Sequence, residues 1–203
     1  MIDPYVQPNG VLRNRLNITE GAELATAEHR LALVRLYYLA EHPIAGQFDL
    51  AHLQSIHKYL FQDVYDWAGQ TRTVDIGKGG TGFTPAAQIG PWADSIFSDL
   101  RREQNLENLT HDRFIERAAH HFAEVNVLHP FREGNGRAQC VFFSQLGTEA
   151  GWGIDWPQVT QQELDTASRT GVMSSTDLQA VLGRVTSPMN GPPPPAVIDR
   201  QTR

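Results

Sequence analysis

Nine consecutive residues, His129-Pro130-Phe131-Arg132-Glu133-Gly134-Asn135-Gly136-Arg137, gather an imidazole, a carboxylate, two glycines around an amide, and a guanidinium. These groups together suit the handling of a phosphate. An imidazole titrates near neutral pH and can take a proton from a hydroxyl. A carboxylate offers the hard oxygen that Mg²⁺ prefers when it bridges phosphates. Glycines let backbone amides approach an anion closely, and a guanidinium fork grips phosphate oxygens. Taken singly, a Gly-x-Gly is usually a tight turn, and a histidine at a helix end usually caps or packs. Contiguity carries the reading, because each group supplies a different part of one reaction. Phe131, apolar between polar neighbours, reads as an anchor into the core.

The elements that must position this stretch are helical. Residues 110–128 place Phe114, Ile115, Ala118, Ala119, Phe122, Val125 and Leu128 at helical spacing, with Thr110 as the N-cap. Pro130 disfavours helical geometry at His129, so the helix ends there with the imidazole at its exit. Ala138, Val141, Phe142, Gln145 and Leu146 resume a helical period, which puts Gly134-Asn135-Gly136 at the mouth of a second helix. The unpaired amides and positive dipole end at such a mouth favour a phosphate.

The stretch resembles the motif of the Fic family, His-x-Phe-x-(Asp or Glu)-Gly-Asn-Gly-Arg-x-x-Arg, and matches it through Arg137. Residues 63–76, Asp-Val-Tyr-Asp-Trp-Ala-Gly-Gln-Thr-Arg-Thr-Val-Asp-Ile, are similar to the family's approach to its flap. Asp3-Pro4-Tyr5 and Arg13-Asn14-Arg15-Leu16-Asn17-Ile18 are similar to a branch of short bacterial Fic toxins. The resemblance spans residues 3–187 and implies an all-α, Fic-type helical bundle with one β-hairpin flap. It also implies an enzyme that moves AMP from MgATP to a tyrosine, threonine or serine hydroxyl of a target protein. By position, His129 would deprotonate that hydroxyl, Glu133 would hold Mg²⁺, Gly134, Asn135 and Gly136 would bind the phosphates, and Arg137 the outer ones. Lys78, at the flap tip, is counted with the nucleotide-binding residues. One position departs: Cys140 stands where the family has a second arginine that helps hold the γ-phosphate. A nucleotide-binding module whose transfer chemistry has lapsed is therefore the alternative. Cys140 itself reads as a small core hydrophobe.

The same resemblance bears on regulation. The family's inhibitory helix carries (Ser or Thr)-x-x-x-Glu-(Gly or Asn), and the nearest string here, Leu16 to Gly21, begins with leucine. Inhibition is then expected from a separate small antitoxin chain, with type II topoisomerase subunits as suggested targets.

Whole-chain properties narrow the field. At 203 residues, 40% hydrophobic and 20% charged, the chain suits one domain with a sizeable core. A formal net charge of −6, with no basic run interleaved with aromatics, argues against direct nucleic-acid binding. No apolar stretch has membrane-spanning length, the start Met1-Ile2-Asp3-Pro4 lacks a secretory pattern, and a single cysteine excludes an intrachain disulfide framework. Cytoplasm is the expected location. Further helices are expected over residues 20–41, over 50–61 with Asp49 as cap, after Gly90-Pro91, from a Thr160-Gln161-Gln162-Glu163 capping box, and over 176–186. Thr71 to Ile76 suits a strand, residues 77–82 a turn-rich hairpin tip and Phe83-Thr84 renewed extension, a hairpin that offers unpaired backbone to an extended target. His120 and His121 read as packing or surface residues without a zinc site. Residues 188–203, with Pro192-Pro193-Pro194-Pro195, read as an extended tail or linker, the change in composition beginning at Ser187.

Overall fold

The structure, a computed structural model, describes residues 3–78, 81–170 and 175–189. Seven α-helices appear among them: α1 (Gly21–Glu41), α2 (Leu50–Phe61), α3 (Ile89–Arg102), α4 (His111–Leu128), α5 (Asn135–Glu149), α6 (Gln161–Thr170) and α7 (Thr176–Val185). Local chemistry accounts for their starts. Asp49 Oδ1 accepts from His52 N at 2.8 Å, capping α2, and Thr160 Oγ1 accepts from Glu163 N at 3.2 Å, one half of a capping box. Helix α3 begins at Ile89, ahead of the expected start, with Pro91 in its first turn, where the missing N–H has no partner to lose. Thr110 precedes α4 as expected, but its side chain accepts no capping bond.

Packing then fixes the two helices that flank the motif. Helices α4 and α5 lie against each other, with α2 against α5, α3 and α7 against α4, and α1 outside α2. Between them are buried Phe114, Phe122 and Val125 of α4, Phe142 and Leu146 of α5, and Leu53, Ile56 and Leu60 of α2. Each such side chain stabilises the fold by roughly 1.5–3 kcal/mol. The exit of α4 and the entrance of α5 are consequently held by the core itself, and Phe131, fully buried, pins the turn between them. This is the all-α bundle expected from sequence.

Strands differ from expectation in two places. The flap hairpin is confined to β1 (Gly77–Lys78) and β2 (Thr81–Gly82), with Gly77 opposite Gly82 and Lys78 opposite Thr81. Thr71 to Ile76 forms no strand. Its amides are drawn across the fold instead: Arg72 N donates to Pro130 O at 2.8 Å and Thr73 N to the Tyr5 hydroxyl at 3.1 Å. A second sheet, unforeseen from sequence, pairs β3 (Trp152–Ile154) with β4 (Thr186–Pro188) antiparallel. The expected boundary at 187 therefore falls inside β4, and Met189 N still donates to Gly151 O at 3.0 Å. Pro188 sits at the end of this edge strand, where an absent donor is tolerated. The proline run 192–195 lies outside the described residues.

Candidate active site

His129 closes α4 in left-handed geometry, φ 43° and ψ 60°. A non-glycine residue holds such a backbone at a cost of about 1–3 kcal/mol, so the surroundings must impose it. Its Nδ1 lies 3.2 Å from the Asn126 carbonyl, which can only accept; Nδ1 therefore carries the proton and the basic lone pair belongs to Nε2. Phe83, just past β2, stacks face to face on the imidazole, centroids 3.6 Å apart and planes 9° from parallel. Because the Nε2 lone pair lies in the ring plane, a ring on the face fixes the imidazole without covering that edge.

Gly134 is the N-cap of α5 at φ +82°, and a Cβ there would overlap the Phe61 ring. Glycine is required twice over. The first intrahelical bond of α5 is Ala138 N to Gly134 O at 3.1 Å, so the amides of Asn135, Gly136 and Arg137 precede it and stand at the helix mouth. A Cβ on Gly136 would meet nothing within 4 Å, so the space beside the first turn of α5 is open on that side. The Asn135 side chain does not face the mouth. Its Oδ1 accepts from Phe131 N at 2.8 Å and its Nδ2 donates to Phe131 O at 2.7 Å, a closed pair of bonds in a buried position. What Asn135 offers an anion at the mouth is its backbone amide, not its side chain.

Glu133, the residue before the α5 N-cap, and Arg137 of its first turn lie four residues apart. Arg137 Nη2 donates to Glu28 Oε1 at 2.5 Å, lies 3.7 Å from Glu133 Oε1, and its guanidinium sits 4.7 Å above Phe61. Glu28, buried on α1, also accepts from the Tyr65 hydroxyl. Burial first, and this bond second, push the Tyr65 phenol far above its usual range, so it remains a donor. Glu133 Oε1 accepts from Gly134 N at 2.9 Å while its side chain is about half exposed, at 46%. Among the described residues there is no cluster of three or more metal-binding side chains. A half-exposed carboxylate beside the α5 mouth fits Mg²⁺, which is commonly held by one or two carboxylates plus substrate phosphates.

Several supporting residues were missed from sequence. His57 of α2 accepts from Gly69 N on Nδ1 at 2.8 Å and donates from Nε2 to Glu133 O at 2.9 Å, with Phe131 stacked 3.8 Å away. Burial pushes its pKa down to about 4, so it is neutral and steadies the backbone under Glu133. Asp3 pairs with Arg132 at 2.9 Å and ties the amino-terminal strap to the motif. Arg72 donates to the His129 carbonyl. One signal was present: Glu28 and His57 interrupt the buried faces of their helices, where a polar group needs a partner. Arg72 has none nearby in sequence, its partners at the α4 exit lying 56 and 57 residues away.

Lys78 pairs through its backbone with Thr81, and its side chain lies outside the described atoms. Cys140 packs among the apolar residues of α5 and its neighbours, and burial pushes its thiol up to about 12, so it is no nucleophile near neutrality. His121 is buried, with Nε2 3.3 Å from Glu103 Oε1, a packing role as expected.

Bundle, hairpin and the glycine-flanked turn at the α5 mouth together define a Fic-type domain, and comparison bears this out. The Fic/DOC family model matches residues 47–146. The probable protein adenylyltransferase Fic of Escherichia coli K12 is 39% identical over 187 residues, covering 91% of this chain and 92% of that protein. Protein adenylyltransferase VbhT of Bartonella schoenbuchensis is 45% identical over 183 residues, or 90% of this chain; the chain spans only 38% of that protein's length. Among solved structures, BepC from Bartonella tribocorum with bound AMPPNP superposes with a TM-score of 0.87 at 26% identity, covering 92% of this chain and 97% of that one. The chain belongs to the Fic/DOC family.

Proposed function

We propose that the chain is a protein adenylyltransferase that moves AMP from MgATP to a hydroxyl side chain of another protein. The carrying observation is the convergence, within one turn, of the α5 mouth amides, an imidazole whose lone pair is fixed on Nε2, and the Glu133 and Arg137 side chains. Phosphate oxygens settle against the amides of Asn135, Gly136 and Arg137, where dipole and N–H groups stabilise negative charge. The target hydroxyl oxygen attacks the α-phosphorus as its proton passes to His129 Nε2. The bond from the α-phosphorus to the bridging oxygen breaks, and pyrophosphate leaves. Glu133 would hold Mg²⁺, which neutralises charge on the phosphates. Arg137, already held over Phe61, meets the outer phosphates, and the flap, with Lys78 near its tip, presents the target as an added strand.

Names of the relatives support this reading. The toxin-branch resemblance extends it to a cytoplasmic bacterial toxin, acting on a tyrosine, threonine or serine, restrained by a small antitoxin, with type II topoisomerase subunits as candidate targets. No helix among the described residues is long and apolar enough to cross a membrane. The test is incubation with Mg²⁺, bacterial lysate and ATP labelled on either the α- or the γ-phosphate. Protein labelling from the α-position only, abolished by His129→Ala, is expected; labelling from the γ-position, or none, contradicts it. Cys140 favours a second reading, nucleotide binding without transfer, since a lost charge-assisted bond is worth roughly 1.5–3 kcal/mol. Calorimetric ATP binding without label transfer, relieved by Cys140→Arg, would support that alternative.

A further inference from the structure

We infer that Arg72 is a positioning residue for the reaction proposed above, joining the flap and the His129 imidazole into one mechanical unit. Its side chain is 2% exposed and every bond it makes runs to a backbone carbonyl. Nε donates to His129 O at 2.9 Å, Nη1 to Val74 O at 2.9 Å, and Nη2 to Thr84 O at 2.5 Å and Leu128 O at 3.4 Å. Val74 and Thr84 lie on the two segments that lead into and out of the hairpin, its legs; Leu128 and His129 are the last carbonyls of the α4 exit. One guanidinium thus bolts both flap legs to the helix end that carries the base. Burying a charge is costly unless it is fully hydrogen-bonded, and the negative end of the α4 dipole is a favourable place for a cation. A planar fork can serve divergent carbonyls at once; an ammonium on a flexible stem cannot hold the same set.

Two further contacts show what the clamp controls. It holds the carbonyl of the residue in left-handed geometry, and Phe83, adjacent to Thr84, is the ring stacked on His129. Thr84 adds its own bonds to α4, N and Oγ1 both donating to Val127 O at 3.0 and 3.1 Å. Movement of the flap legs would move Phe83 over the imidazole. Target docking on the flap and alignment of Nε2 are coupled through Arg72.

The test compares Arg72→Lys and Arg72→Gln in the full chain, reading AMP-transfer kinetics, ATP affinity by calorimetry, and the NMR shifts of the His129 ring protons, which the stacked Phe83 displaces upfield. Expected is a fall in kcat of about tenfold to a hundredfold, the scale of an ångström-sized misplacement, with the lysine variant retaining more than the glutamine. KM and Kd for ATP should stay within about twofold, because the α5 mouth is untouched, and the ring shift should shrink in both variants. Folded variants with unaltered kcat, a loss confined to ATP affinity, or an unchanged ring shift would overturn the inference. If neither variant folds, Thr84→Val, which deletes only the Oγ1 bond at the flap base, should shrink the ring shift to a smaller degree; no change there is equally fatal. Wild-type protein that moves no AMP would defeat the functional reading alone, since the ring shift reports on the clamp without any reaction.

Discussion

Replacing Asn135 with alanine separates two roles for that side chain. As a phosphate ligand it would affect ATP binding and leave stability alone. The structure instead commits it to Phe131 N and O at 2.8 and 2.7 Å, in a place where Phe131 is fully buried. Alanine removes two bonds and strands one buried N–H and one buried C=O, each worth about 1–3 kcal/mol, so the expected loss is about 2–6 kcal/mol. For a chain of this size that corresponds to a drop of roughly 4–24 °C in Tm. Asn135→Asp keeps the acceptor but not the donor, and should fall between wild type and alanine. Calorimetric melting alongside ATP titration is the assay. A melting midpoint unchanged within error, accompanied by weakened ATP binding, would refute the assignment and make the side chain a phosphate ligand.

The two motif glycines should part company. Gly134→Ala must hold φ +82° and push against Phe61, a destabilisation of about 1–3 kcal/mol, whereas Gly136→Ala meets no protein atom and should leave Tm unchanged or slightly raised while weakening ATP binding about tenfold. Equal Tm values for the two would contradict this. Glu28→Gln exchanges a charge-assisted bond to Arg137 for a neutral one, so stability should fall by about 1–2 kcal/mol and KM for ATP rise several-fold; a lower KM would mean that Glu28 competes with the nucleotide for Arg137. Acid sensitivity should trace in part to His57. Its folded pKa, near 4, lies below the unfolded value of about 6.5, so the unfolded chain binds the extra proton between them. The neutral ring's contribution, up to about 3 kcal/mol, is present above pH 6.5 and lost as pH falls toward 4. Urea unfolding across that window should show a shallower decline for His57→Asn than for wild type, and identical slopes would exclude the linkage.

Helices were legible because their signals are local. Asp49, the Thr160 box and the apolar spacing of 110–128 each act within a few residues, and the structure honours them with small shifts. The motif was legible for the same reason: imidazole, carboxylate and glycines follow one another along nine positions. What sequence could not resolve is the division of labour among them. Asn135 stands between two glycines in a phosphate-binding pattern, yet its amide group is consumed by Phe131, four residues back. The strand expected over Thr71 to Ile76 failed for a tertiary reason, since its amides find Pro130 O and the Tyr5 hydroxyl rather than a partner strand. Strand β4 was hidden by composition: the proline-rich character beginning near Ser187 masks three residues that pair with β3. Arg72 lies within the family-like stretch 63–76 with no local signal of its role, because its four carbonyl partners come together only when flap and α4 meet.

Amide-resolved NMR titration with MgATP asks most directly whether the α5 mouth is where the triphosphate is held. The amides of Gly136 and Arg137, with the His129 ring, should show the largest saturable shifts, and Gly136→Ala should suppress them. Shifts centred instead on the cavity of about 490 Å³ between α6 and α7, lined by Thr160, Glu163, Thr166, Asp177 and Val181, with the motif amides unmoved, would contradict the proposed site.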